Sequence, residues 1–270
     1  MIPKIIHYCW FGGQPYSPVI QRCIESWEKY CPDYKFKLWN EENSPMEIRW
    51  VNDAMLYKKY AFVADYVRFY ALYTEGGIYL DTDMLLIKPI DDLLDNKMFI
   101  GRENAHFSSW GIIGMEKGNE LCKTCMTFYE TTLFNPQNLV DLAIPQVVTP
   151  ILDKYNFVHK DETMKLNNGL VVYQSSYFYP VRYNDTFNID DLFYPPYGGF
   201  VTPTNPTYGI HLWYKSWDDD LGFLSRGFYP EGFRLAWKRI RHSPFQSIKY
   251  YKKLIKYFLK MILSELTGKK

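Results

Sequence analysis

The chain has 270 residues, 47% of them hydrophobic and 23% charged, with a formal net charge of +1. A chain of this length buries roughly three quarters of its unfolded surface and folds without disulfide staples. No uninterrupted apolar run approaches the roughly 20 residues of a bilayer-spanning helix, which argues against one. The charge is unevenly placed. Arg234 to Lys270 holds eleven Lys or Arg against one acid, a balance of +10, leaving 20 basic and 29 acidic residues, or −9, for Met1 to Phe233.

Ile2 to Trp10 reads as a short buried strand ending at the Gly12-Gly13 turn, and Pro18 to Tyr30 has the apolar spacing of a helix. A second strand is expected over Tyr34 to Trp39. Strand, helix and strand in that order open a nucleotide-binding α/β sheet. Tyr60 to Glu75 is expected to be helical, with Ala61, Ala64, Ala71 and Leu72 as a close-packing face and Gly76-Gly77 as the stop. The run Ile78 to Ile87 starts as a buried strand, so Asp81 and Asp83 fall where it emerges at its carboxyl end, the ligand side of an open α/β sheet. Further strands are expected at Met98 to Gly101, Gly111 to Met115 and around Leu170 to Tyr173, with helices near Asn119 to Glu130 and over Ile144 to Tyr155. Tyr177 to Pro206 is rich in proline and glycine and reads as a loop of the kind on which acceptor sites are built.

Five cysteines, Cys9, Cys23, Cys31, Cys122 and Cys125, form an odd set without framework spacing, and the opening residues are not expected to be a signal peptide. Both features point to reduced thiols in a cytoplasmic setting. Cys122-x-x-Cys125 lies in a helical stretch with no second pair or nearby His, so a structural role is expected.

Asp81 and Asp83 carry the chemistry. One residue apart on an extended segment, two carboxylates point the same way and can share one hard cation. Such a cation offsets the charge on a departing nucleotide diphosphate. A bare D-x-D is weak evidence, because it also marks solvated turns. Its place directly after Ile78-Tyr79-Leu80 favours a cleft. Asp65 and Arg68, three apart on a helix, share a face; they either serve a sugar and a phosphate or form an intrahelical ion pair. His211 follows Gly209-Ile210 at a strand end and precedes Trp213, Lys215 and Trp217; the alternative is a satisfied core or surface histidine. Trp10 is either core or cleft edge.

The run from Ala64-Asp65 through Arg68 and Gly76-Gly77 to Tyr79-Leu80-Asp81-Thr82-Asp83 resembles the signature of D-x-D-containing sugar-transferring glycosyltransferases. That group holds yeast-type initiating α-mannosyltransferases and bacterial capsular polysaccharide transferases, and more distantly the large glucosylating toxins. Ile2 to His7, Trp10, Gly12-Gly13, His211-Leu212-Trp213 and Ser216-Trp217 belong to the same pattern. The resemblance implies a GT-A-type domain with a mixed, mainly parallel sheet flanked by helices. It also implies a nucleotide-sugar donor, a Mn²⁺ or Mg²⁺ ion, and retention of anomeric configuration. On that pattern Asp81, Asp83 and His211 hold the metal, and Asp65, Arg68 and Asp83 form the catalytic set. Trp10 stacks on the base, and Lys215, Ser216 and Trp217 face the diphosphate. Tyr8, Asn40, Asp65, Arg68, Asp81 and Thr82 complete the donor contacts. The chain departs from the pattern at Ser109-Trp110, where an Asn is common, and at Ile144, where a Gly precedes the proline. A UDP-sugar donor and a glycan or lipid-linked acceptor of capsular or surface polysaccharide synthesis are expected. An aspartyl-phosphate-type phosphatase or a non-catalytic carbohydrate-binding module is the alternative.

The division expected is a catalytic domain over 1–233 and a basic helical extension over 234–270. Ser247 to Leu266 puts Lys249, Lys252, Lys253, Lys256 and Lys260 on one helical face and Leu254, Ile255, Phe258, Leu259, Ile262 and Leu266 on the other. Such a helix lies on an anionic membrane surface, here the inner face, or docks on the catalytic domain with its lysines solvated. Nucleic acid is not an expected partner.

Overall fold

The computed structural model describes residues 1–181, 206–214, 220–225 and 228–267. The chain opens with β1 (Ile5–Cys9), α1 (Pro18–Tyr30), β2 (Lys35–Trp39), α2 (Arg49–Leu56), α3 (Tyr60–Glu75) and β3 (Gly77–Leu80). β4 (Met84–Leu86), β5 (Met98–Gly101) and β6 (Ile112–Met115) lead to α4 (Glu120–Thr131) and α5 (Ile144–Asp153). β7 (Met164–Lys165), β8 (Val171–Tyr173) and β9 (Gly209–His211) are followed by α6 (Asp220–Ser225), α7 (Tyr229–His242) and α8 (Ile248–Thr267). The chain divides into two compact units, Met1–Arg182 with Pro203–Trp213, and Tyr183–Thr202 with Tyr214–Lys270.

The first unit is built on a mixed seven-stranded sheet in the order β2-β1-β3-β6-β5-β8-β7. β1 runs parallel to both β2 and β3, β6 opposes β3 and β5, and β8 runs parallel to β5. Hence β2, β1, β3, β5 and β8 share one direction, against β6 and β7. Their carboxyl ends line one edge of the sheet.

α3 lies against the sheet and between α2 and α4, and Val63 to Phe69, Ala71 and Leu72 are all buried. A helix covered on several sides has no long polar face to offer, which is why its sequence reads as apolar almost throughout. The Gly76-Gly77 stop is enforced by space and conformation. Gly76 has φ +69° and a Cβ there would stand 2.7 Å from the Lys117 amide nitrogen; Gly77 has φ +111° with the Ile5 carbonyl 2.7 Å away. The tight reversal feeds β3 directly from α3. On the other face Ser17 caps α1 by accepting from the Ile20 amide, and Trp27 donates its indole N–H to the Met84 carbonyl at 2.6 Å.

One expectation changes and one helix is added. Ile78 to Ile87 is not one extended segment: β3 stops at Leu80, Asp81 to Asp83 form a turn closed by Met84 N–H to the Asp81 carbonyl at 2.9 Å, and β4 pairs with β9 in a separate ribbon. The side chains of Asp81 and Asp83 converge because of that turn, not because of strand alternation. α2 was not expected, since its eight residues are too few for a clear period; Trp50, Val51 and Ala54 are nevertheless fully buried. The residues of 182–205, most of the Tyr177 to Pro206 loop, lie outside the described residues, as do Lys215, Ser216 and Trp217.

Candidate active site

Trp10, Asn40 and Asp81 each follow the carboxyl end of one of three adjacent parallel strands, β1, β2 and β3. β6 runs the other way, so the residue that precedes it, Gly111, reaches the same edge. There the Asp81 amide donates to the Gly111 carbonyl at 2.8 Å. His211 arrives by a different route. β9 pairs antiparallel with β4, with His211 opposite Met84, and the Leu212 amide donates to the Asp83 carbonyl at 3.0 Å.

The three side chains meet. His211 Nε2 lies 3.6 Å from Asp81 Oδ2 and 3.3 Å from Asp83 Oδ1, and one ligand atom from each residue falls within 4.8 Å of the others. Two carboxylate oxygens and one imidazole nitrogen form a donor set that suits Mn²⁺ or Mg²⁺ at an open site. Gly111 lets the ligands draw close: a Cβ there would stand 2.8 Å from Asp81 Oδ2 and 2.9 Å from His211 Cδ2. Burial alone would lower the His211 pKa, but the carboxylates of Asp83, Asp81 and Glu103 outweigh it and raise the value. Burial likewise pushes Asp81 up, and Arg68, His211 and Tyr79 overcome it and hold the carboxyl below its ordinary range.

Arg68 organises the floor of the site. Its Nη2 donates to Asp65 Oδ1 at 2.9 Å and lies 3.4 Å from Asp81 Oδ1, Nη1 donates to the Trp110 carbonyl at 2.9 Å, and Nε donates to the Ala64 carbonyl at 3.2 Å. The guanidinium stands 4.7 Å over the Tyr79 ring. The intrahelical ion pair considered from spacing is therefore present, and it extends to Asp81. Burial pushes Asp65 up to about 7, with Arg68 drawing it back and Asp81 adding to the rise. Tyr79 donates its hydroxyl to Asp81 Oδ1 at 3.1 Å. One Asp81 oxygen is thus held by Tyr79 and Arg68, and the other faces His211.

The remaining expected donor residues divide. Trp10 is half-buried, donates its indole N–H to the Gln14 carbonyl at 2.6 Å and packs edge-on to Tyr16. Tyr8 is half-buried with its ring edge-on to Trp27. Asn40 uses its side-chain oxygen in a local turn, accepting from the Glu42 amide at 3.0 Å. Thr82 sits in the turn between the two aspartates.

Three residues of the site had no role in the sequence reading. Gly111 permits the close approach described above. Tyr179 is buried, accepts from the Gly111 amide at 2.9 Å, and packs its ring 5.4 Å from His211 and 5.8 Å from Trp213. Trp110, flagged only as a departure from the family pattern, is fully buried at φ +56°, and Trp213 has φ +51°. Left-handed backbone at a large side chain costs about 1–3 kcal/mol and concentrates at functional sites. Trp110 could have been suspected from its place before Gly111; Tyr179, in a tyrosine-rich stretch, carried no distinguishing signal.

Fold and site together define an α/β protein with a candidate divalent-metal centre at the carboxyl edge of its sheet. Residues 17–100 match the family described as glycosyltransferase sugar-binding region containing DXD motif, and residues 114–221 match the alpha 1,4-glycosyltransferase conserved region. The first stretch contains Asp65, Arg68, Asp81 and Asp83, and the second contains His211. Two separate stretches of the chain thus resemble glycosyltransferase regions, the first of them the D-x-D-containing sugar-binding region. The chain is similar to inositol phosphoceramide mannosyltransferase 3 of Schizosaccharomyces pombe, 32% identical over 44% of this chain and 34% of that protein. It is also similar to lactosylceramide 4-alpha-galactosyltransferase of Rattus norvegicus, 23% identical over 57% of this chain and 41% of that protein. The chain therefore spans less than half the length of either relative. Among solved structures, PaToxG glycosyltransferase aligns over 57% of this chain and 69% of that chain, with 22% identity and a TM-score of 0.47. Both matched families are glycosyltransferases, which speaks against the phosphatase alternative.

Proposed function

We propose that the protein is a metal-dependent, retaining glycosyltransferase of GT-A type. It transfers a hexose or N-acetylhexosamine from a nucleotide-diphosphate sugar, a UDP-sugar, to a glycan or lipid-linked acceptor of capsular or surface polysaccharide. The convergence of Asp81, Asp83 and His211 at the sheet edge carries this reading. Both relatives are named for transfer to a ceramide-borne acceptor, which favours the lipid-linked class.

Asp81, Asp83 and His211 would hold a divalent cation, whose chemistry is to neutralise charge on the departing diphosphate. Tyr79 and Arg68 fix the Asp81 carboxylate before substrate arrives, so little reorganisation is left for the reaction itself. Asp65 orients hydroxyls of the donor sugar, and Arg68 holds Asp65 in place for that role. Trp10 offers an aromatic surface for the base, with Tyr8, Asn40 and Thr82 near it in the donor pocket. Lys215, Ser216 and Trp217 are assigned to the diphosphate by the family pattern. Catalysis is assigned to 1–233. The basic region 234–270 holds the enzyme at the cytoplasmic face of an anionic membrane, where a lipid-linked acceptor resides. Among the described residues no helix is long and apolar enough to cross a membrane.

Thermal unfolding in the presence of UDP- and GDP-sugars, with and without Mn²⁺, tests the reading. A ligand that binds only the folded state raises its stability, so stabilisation should require nucleotide and metal together. Asp83→Asn should remove the metal-dependent part. Nucleotide diphosphates that bind no better than free phosphate would overturn the assignment.

A further inference from the structure

Among the described residues, the helices of the second unit carry several apolar side chains that are more than half exposed. At about 100° per residue, α8 presents three faces rather than two. Tyr250 is buried, and Leu254, Tyr257 and Met261 are half-buried on the same side. Ile248, Ile255, Leu259 and Leu263, spaced seven, four and four residues apart, form a second stripe, and their exposures are 77%, 60%, 54% and 59%. The lysines at 249, 252, 253, 256 and 260 are all exposed and flank that stripe. A helix docked through its apolar side with only lysines outside would have covered these residues. The apolar side expected from the sequence is instead split between a packed face and an open one.

The open face is held in place. Asp220 on α6 is buried, pairs with Arg239 on α7 at 3.0 Å, and accepts from the Tyr250 hydroxyl on α8. That contact fixes the rotation of α8 about its axis. On α7, Trp237 is 65% exposed between the exposed Arg234 and Arg241, and Phe245, in the segment joining α7 to α8, is 98% exposed.

We propose that this surface docks on an anionic lipid bilayer, with α8 lying in the interfacial plane. The stripe of Ile255, Leu259 and Leu263 inserts among the acyl chains and the lysines contact the headgroups. The exposed rings of Trp237 and Phe245 are available as further aromatic anchors, since amphipathic rings settle at such interfaces. The charge distribution selects the occupant. The region Arg234 to Lys270 carries +10 and the remainder −9, so an anionic surface attracts this region and repels the rest of the chain. The proposal deepens the membrane association included in the function above, but it does not depend on the donor chemistry.

Full-length protein is sedimented with phosphatidylcholine vesicles, with and without phosphatidylglycerol, at low and high salt. Wild type should bind the phosphatidylglycerol vesicles. Lys252→Glu with Lys256→Glu should weaken binding by about tenfold or more at low salt. Ile255→Ser with Leu259→Ser should weaken it by about tenfold at both salt concentrations, because insertion is not screened. All four positions are exposed, so circular dichroism should show both variants folded. A serine pair that binds like wild type overturns the proposal. So does a wild type that ignores phosphatidylglycerol vesicles; if that protein sediments alone as a dimer dissolved by the serine pair, the stripe covers a second copy instead. Stabilisation by nucleotide and Mn²⁺ is measured on the same variants and should be unchanged, so loss of one result leaves the other standing.

Discussion

Single hydrogen bonds decide how the candidate centre is prepared. Tyr79 contributes only its hydroxyl to Asp81, while its ring supports the Arg68 guanidinium. Tyr79→Phe keeps the ring and should weaken Mn²⁺ binding by about tenfold, the scale of losing a group that orients a ligand; Mn²⁺ titration followed by electron paramagnetic resonance measures it. An unchanged affinity would show that Arg68 alone orients the carboxylate. His7 gives a stability prediction. Its Nδ1 accepts from the Trp39 indole at 3.1 Å, which leaves Nε2–H to donate to the Gly76 carbonyl at 2.8 Å, so the ring is held neutral. Burial lowers its pKa, opposed by the Gly76 contact and Glu75 and reinforced by Lys37 and Lys35. The unfolded chain takes up a proton near pH ~6.5 that the native state refuses. Stability from this residue is therefore complete above ~6.5 and declines as pH falls towards the depressed native value, by at most about 1.4 kcal/mol per pH unit. Denaturant unfolding of wild type and His7→Gln across that range should show this contribution as the difference between the two pH profiles, since the other shifted groups act equally in both.

Elements place these residues. The Gly76-Gly77 reversal joins α3, which carries Asp65 and Arg68, to β3, which delivers Asp81, and so sets the spacing between the two halves of the floor. Gly76→Ala meets both a positive φ and the Lys117 backbone at 2.7 Å. It should cost at least about 1 kcal/mol in denaturant unfolding and lower donor affinity in parallel; a neutral outcome would mean that the reversal can relax. The ribbon of β4 and β9 plays the matching part for His211. This explains how a D-x-D that stands in a turn, not on a strand, still finds its third partner.

At the scale of the molecule, all five cysteines are free and buried. Burial pushes the Cys9 thiol up to about 12 and those of Cys122 and Cys125 well above the ordinary value. The native protein should leave all five unreactive towards a disulfide reagent at pH ~8, and the denatured chain should expose five. Rapid labelling of Cys122 or Cys125 without unfolding would contradict their place in the core, where Cys122 meets the Met115 sulfur at 3.2 Å. The charge is divided at this scale as well, −9 over the first 233 residues and +10 over the remainder, so the proposed membrane association should weaken as salt is raised.

The sequence by itself determined what depends on neighbours in the chain. The α3 helix ends at Glu75 as expected, β5 spans Met98–Gly101 as expected, and Asp81 follows a buried strand, because apolar period and glycine chemistry act over a few residues. The pairing of Asp65 with Arg68 was legible for the same reason. Tertiary structure alone decided the rest. Strand pairing between distant segments brings His211 to Asp83. The reversed direction of β6 brings Gly111 to Asp81, and packing beyond β8 brings Tyr179 to Gly111. Packing within the second unit decided which apolar residues of α8 are covered and which stay open. Local patterns state which faces prefer burial, but which segment covers each face depends on contacts summed over the whole fold.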